Sequence, residues 1–113
     1  MTREEIVQYC LGLPDTYLDY PFDSEWQAIR DKKNQKTFAF IFKHQNALWM
    51  NVKCDPLRGQ FLRENYEEIK LAYHMNKKHW ISVVLDGQLS DEEIKARIQE
   101  SYQLIHPRRR TTK

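Results

Sequence analysis

Apolar positions repeat along this chain first with a helical period, then with a strand period, and at the end with a helical period again. Ile6, Tyr9, Cys10 and Leu13 recur at helical spacing behind Thr2-x-x-Glu5, a capping box. This predicts a helix over residues 3–11, ended by Gly12 and Pro14. Residues 14–25 hold no period and read as an aromatic-rich loop. Residues 26–31 alternate, with Trp26, Ala28 and Arg30 on one side and Gln27, Ile29 and Asp31 on the other, a short strand. The polar hairpin loop DKKNQK leads into KTFAFIFK, which places Phe38, Phe40 and Phe42 on one face and Ala39 and Ile41 on the other. After the turn HQN, ALWMNVK makes a third strand with Leu48, Met50 and Val52 on one face. Both faces of the central strand are apolar, which places it inside a sheet or covered on both sides.

Asp55-Pro56 is a helix start, an N-cap acceptor followed by proline at the first helical position. Leu57, Phe61 and Leu62 supply its apolar stripe, and residues 66–69 extend it by a further turn. LAYHM and HWISVVLDG then read as two short strands joined by a tight turn at Asn76-Lys77, with Trp80, Ser82 and Val84 opposite Ile81, Val83 and Leu85. Ser90-x-x-Glu93 is a second capping box, with Leu89 and Ile94 at the positions of a hydrophobic staple. The last helix runs over residues 91–105, buries Ile94, Ile98, Tyr102 and Ile105, and stops at Pro107. The order is helix, three strands, helix, two strands, helix. Short links between successive strands favour antiparallel hairpins, and amphipathic helices must bury one stripe against the sheet. The expected class is α+β, a two-layer sandwich with an antiparallel sheet of about five strands.

Length and composition narrow the class. A chain of 113 residues is one domain, expected over residues 1–106 with a basic, disordered tail at 107–113. No apolar run approaches the roughly 20 residues of a membrane span. No basic-then-apolar leader opens the chain, and Cys10 and Cys54 do not form a disulfide framework, so a cytoplasmic protein is expected. The net charge of +2 conceals a pattern: −5 over residues 1–25, +6 over 26–85, −3 over 86–106 and +4 over the tail. If the acidic flanks pack together, the protein has an acidic and a basic side.

Candidate chemistry is concentrated in His74-Met75-Asn76-Lys77-Lys78-His79-Trp80. Such a tip suits phosphate contact through its lysines, with Asn76 and His79 as further donors and Trp80 as a stacking surface. On the residues alone an ordinary solvated turn above a core tryptophan fits better, since polar turns are where exposed lysines belong. His74 and His79 lack the spacing of a metal pair, and no acidic or cysteine partner is near in sequence. Cys54 ahead of a helix start could be an activated thiol, yet Asp55 beside it opposes ionisation and small buried packing fits better. The carboxylate pairs Glu4-Glu5 and Asp91-Glu92-Glu93 offset helix dipoles. No catalytic triad order, phosphate loop or cofactor fingerprint is present, so neither an enzyme nor a cofactor is expected. Tyr17, Tyr20, Phe22 and Trp26 either line a groove or close the core around the first helix.

NVKCDP at 51–56, YHMNKKHW at 73–80 and LDGQLSDEEI at 85–94, after EEIVQYCLGLP and DYPF, resemble the MmcQ/YjbR family of small bacterial proteins over residues up to about 106. The resemblance implies an α-β(3)-α-β(2)-α fold similar to secretion-chaperone-like domains. It also implies DNA binding, a family-level proposal with hairpins arranged as two wings. Carried onto this chain, the wings are HMNKKHW and DKKNQK, and the phosphate contacts are Lys77, Lys78, Lys32, Lys33 and Lys36. Asn51, Lys53 and His79 are matched motif positions that serve either a ligand or the fold. Two readings follow: a double-stranded DNA binder using basic hairpins, and a protein-interaction or homodimeric module working through the aromatic sheet.

Overall fold

The computed structural model describes residues 1–106. The basic tail expected at 107–113 lies outside them. The elements, in chain order, are α1 (Arg3–Leu11), β1 (Thr16–Asp19), β2 (Gln27–Asp31), β3 (Thr37–His44), β4 (Ala47–Lys53), α2 (Pro56–Asn65), β5 (Ile69–Leu71), β6 (Trp80–Val84) and α3 (Asp91–Ile105). All neighbouring strands are antiparallel in one sheet ordered β1-β2-β3-β4-β6-β5. The expected α+β class is what the chain adopts, with a sixth strand in place of part of the aromatic loop. β1 has no apolar alternation to announce it, because it is a four-residue edge strand with only Thr16 buried.

The three helices lie on one face of the sheet. Ile6, Val7 and Cys10 of α1, Leu62 of α2, and Ile94, Ile98 and Ile105 of α3 join Ile29, Ala39, Ile41, Met50, Val52, Ile81 and Val83 in a single core. The box at Thr2 forms in full: Thr2 Oγ1 accepts from the Glu5 N–H at 3.1 Å and Glu5 Oε1 accepts from the Thr2 N–H at 2.7 Å. At α3 one arm forms, Ser90 Oγ accepting from the Glu93 N–H. The Glu93 carboxylate is drawn instead to Arg97 and the Tyr66 hydroxyl.

Three local expectations need correcting. Phe38 does not share a face with Phe40 and Phe42. The β2–β3 register shifts between Ile29 and Arg30, so that β3 carries one extra residue and Phe38 turns toward the helices. There its ring meets Tyr102 edge-on at 5.2 Å. The stripe on α2 is also different: Leu57 is 82% exposed and Phe61 51%, while Gly59 and Leu62 are buried. Gly59 lets α2 approach the sheet so closely that a Cβ there would stand 3.3 Å from Ile81 Cγ2, which turns Leu57 and Phe61 outward.

The third correction concerns residues 66–79. No helical turn follows Asn65, β5 ends at Leu71, and residues 72–79 form a loop instead of a strand and tight turn. Side chains replace the ladder at this point. The Tyr73 N–H donates to Ser82 Oγ at 2.8 Å, and the Tyr73 carbonyl accepts from Asn51 Nδ2 at 2.8 Å. The chain therefore leaves the sheet edge and folds over the open face. On that face Phe42 is inaccessible and Phe40 nearly so, covered by Trp26 from before β2 and by Tyr73, Met75 and Trp80. Phe22 and Trp26 thus do not close the core around α1; they pack on the opposite face.

Candidate nucleic-acid interface

Antiparallel topology decides where the lysines go. β2 ends and β3 begins at one end of the sheet, and β4 ends, β5 ends and β6 begins at that same end. The turn bearing Lys32, Lys33 and Lys36, the loop bearing Asn76, Lys77, Lys78 and His79, and Lys53 at the end of β4 are thereby brought to a common end. Three strand spacings separate the two turns, about 14 Å. Lys32, Lys33, Lys36, Asn76, Lys77, Lys78 and His79 are all exposed.

The first turn is rigidly built. Asp31, with no exposed surface, accepts the N–H groups of Lys33 (2.6 Å) and Asn34 (3.2 Å) and the Nε2 of His106. Asn34 Oδ1 accepts from the Lys36 N–H, and its Nδ2 donates to the Ile105 carbonyl at 2.8 Å, tying the turn to the end of α3. Burial alone would push the Asp31 carboxyl up, but the two amides and the His106 ring outweigh it and hold it below the ordinary carboxylate range. Lys33 is paired with Asp15 at 3.4 Å, which leaves Lys32 and Lys36 as the better-placed cations of this turn.

The second basic segment is a folded loop and not a projecting wing. Asn76 Oδ1 accepts from the N–H groups of Lys78 and His79, Lys77 Nζ donates to the Ala72 carbonyl, and the His79 carbonyl accepts from the Cys54 N–H. Asn76 is therefore a turn-former, and its side-chain acceptor is already used. Lys53 Nζ lies 5.5 Å from the centre of the Trp80 ring. Its N–H donates to Ser101 Oγ, which donates in turn to the Phe38 carbonyl, so an α3 hydroxyl replaces one rung between β3 and β4. Asn51 serves the fold: fully buried, it holds Tyr73 and accepts from Ser82 Oγ.

Most of the acids lie at the other end, although Asp15, Asp31 and Asp55 stand with the lysines. Asp19 ends β1 and Asp23 and Glu25 follow it, Glu67 and Glu68 precede β5, Asp86 follows β6, and the first turns of α1 and α3 carry Glu4, Glu5, Asp91, Glu92 and Glu93. The Met1 amino group, 3.4 Å from Asp91, joins those two helix starts. The acidic starts of α1 and α3 do pack together, away from the lysine turns, while Asp15 of the first flank pairs with Lys33.

Other chemistry is muted. Cys54 is buried beside a cleft of about 570 Å³ lined by Arg58, Glu100 and Leu104, and burial followed by the nearby Glu100 charge pushes its thiol up, away from a nucleophilic thiolate. Burial pushes Cys10 up to about 12. Among the described residues no three histidine, cysteine or acidic side chains converge as metal ligands, and no helix is long and apolar enough to cross a membrane. Sequence spacing singled out Phe22, Trp26 and Trp80 but missed their convergence on the open face, and it missed the Asp31–His106 pair. The members of both sets lie up to 75 residues apart, and only the folded register unites them.

Comparison with known proteins agrees with this architecture. The model of the YjbR family matches residues 11–104. YjbR of Escherichia coli K12 is 31% identical over 103 residues, covering 91% of this chain and 86% of its own length. YyaQ of Bacillus subtilis 168 is 32% identical, with 92% and 98% covered. Among solved structures, Deinococcus radiodurans DR2400, a DUF419 domain, superposes with a TM-score of 0.84 at 32% identity over 92% of this chain and 78% of that one. A Pseudomonas syringae protein superposes with a TM-score of 0.83 at 30% identity over 94% and 100%. Sequence, helix order and sheet topology converge on one assignment, and the chain belongs to the YjbR family.

Proposed function

We propose that this protein binds nucleic acid, duplex DNA included, through phosphate contacts from the lysine end of its sheet and with little base readout. One observation carries the reading: the topology gathers Lys32, Lys36, Lys53, Lys77 and Lys78 at one end while the acidic helix starts and loops occupy the other. Turn tips about 14 Å apart are on the scale of a DNA groove. With residues 1–106 carrying a net −2, attraction is local to this end, and the affinity is modest and sensitive to salt.

The test is a titration of labelled duplex DNA across a salt series, using residues 1–113 and 1–106. Each is compared with Lys32→Glu/Lys36→Glu and Lys77→Glu/Lys78→Glu variants. The expected result is binding by 1–106 that falls with salt, and a slope reduced by roughly 2 in each double variant. Binding that vanishes with residues 107–113, or ignores both variants, overturns the reading.

A second reading rests on Leu57 and Phe61, one helical turn apart on the outer face of α2 and both exposed. They suit a protein partner or a second copy of the chain. Light scattering tests the homodimer: a strictly monomeric species at high concentration removes it.

A further inference from the structure

The open face of the sheet carries a feature that phosphate contact does not use. A row of rings begins at Trp80, where Lys53 sits over the indole, and passes through Phe40 (5.7 Å between centroids) to Phe22 (6.1 Å) and Trp26 (5.9 Å). From Trp26 it reaches His74 at 6.4 Å. The row ends in a cleft of about 370 Å³ lined by Phe22, Asp23, Trp26, His74 and Met75. Phe22 lies nearly parallel to Phe40, with an interplanar angle of 18°, yet is 67% exposed, so one of its faces is covered and the other is presented outward. His74 is exposed and held in the left-handed region at a φ of 61°, with its ring 4.1 Å from Tyr73.

We infer that this track and its terminal cleft bind unpaired nucleobases, making single-stranded nucleic acid a ligand of the open face. The inference rests on the proposed phosphate-binding reading and gives it a substrate class. The outward face of Phe22 and the exposed ring of His74, with the half-buried Trp26 and Trp80 beside them and Phe40 as the buried support beneath, offer stacking that every base can use. The track starts at the lysine end, and Lys77 and Lys78 follow Met75 by two and three residues, so a strand anchored there by its phosphates has its bases over the rings. The cleft itself disfavours phosphate. Asp23 at its rim is anionic, with Oδ1 committed to the Glu25 and Trp26 N–H groups, and a neutral base is the part of a strand that such a rim admits.

The experiment uses residues 1–113 and three probes of equal phosphate number: oligo(dA), an abasic deoxyribose-phosphate strand, and a duplex. Tryptophan fluorescence and binding affinity are followed for the wild type and for Phe22→Ala/His74→Ala, both substituted side chains being exposed. Oligo(dA) is expected to quench tryptophan and to bind several-fold more tightly than the abasic strand. The double variant is expected to lose at least about fivefold for oligo(dA) and to leave the abasic and duplex affinities unchanged. Equal binding of oligo(dA) and the abasic strand, or no effect of the double variant, overturns the base-stacking inference and leaves phosphate binding standing. Failure of all three probes to bind overturns both. A thermal melt matching the wild type establishes that the double variant is folded.

Discussion

His106 and Asp31 join the last turn of α3 to the β2–β3 turn: Nε2 of the ring faces the buried Asp31 carboxylate, and Nδ1 faces the Tyr102 carbonyl at 2.8 Å. Carbonyl and carboxylate are both acceptors, and the His106 ring bridges them from its two nitrogens. His106→Gln keeps at most one of these bonds. It should cost about 1–3 kcal/mol in urea denaturation, with the loss shared by the basic turn in amide exchange.

Asp31 also sets an acid limit. Its carboxyl is held below the ordinary carboxylate range in the fold, so its contribution is complete above the unfolded value of 3.8 and is lost as pH falls through the lower folded one. Stability measured from pH 6 downward should therefore drop below about pH 4. Asp31→Asn should flatten that part of the curve while lowering stability at neutral pH. An unchanged acid limb would show that Asp31 is not its source.

Ser101 is the most economical test of the core. Its hydroxyl stands between the Lys53 N–H and the Phe38 carbonyl, and Ser101→Ala strands both without room for solvent. A loss of about 1–3 kcal/mol is expected in chemical denaturation. A change within ±0.5 kcal/mol would mean that the strands close to make the missing rung themselves.

Gly59→Val should be destabilising despite removing a helical glycine. The added Cβ meets Ile81 Cγ2 at 3.3 Å, and the branched methyls must displace the helix from the sheet, at a cost of about 1–3 kcal/mol. Leu57→Ser and Phe61→Ser, two positions that pattern alone assigns to the core, should change stability little. The contrast is read in one series of thermal melts.

The large-scale order of this fold is legible because α1, α3 and β4 each bury a clean periodic stripe. What escapes periodicity has physical causes. The Phe38 bulge breaks the alternation of β3 without any turn residue to mark it. A small residue, Gly59, and not the larger apolar ones, faces the sheet from α2. Asn51 and Ser82 take over backbone bonding at Tyr73, which ends β5 early although its sequence continues to look like a strand. The lysines of the candidate site are visible as a basic segment, but their common location follows only from strand direction. The rings of the open face come from separate segments; Trp80 as a stacking surface and Phe22 and Trp26 as groove-lining residues are legible in the sequence, but their meeting around Phe40 follows only from the folded register.

Among the described residues, the excess of acids at one end of the strands and of lysines at the other gives residues 1–106 a dipole along the strand axis. Torque on such a dipole acts before any contact is made, over about one Debye length of 8 Å at physiological salt. A polyanion is met lysine end first, and orientational search shortens accordingly. Charges remote from the contact then govern arrival and not residence: neutralising Glu4, Glu5, Asp91 and Glu92 alters the association rate at low salt and leaves the dissociation rate as it was.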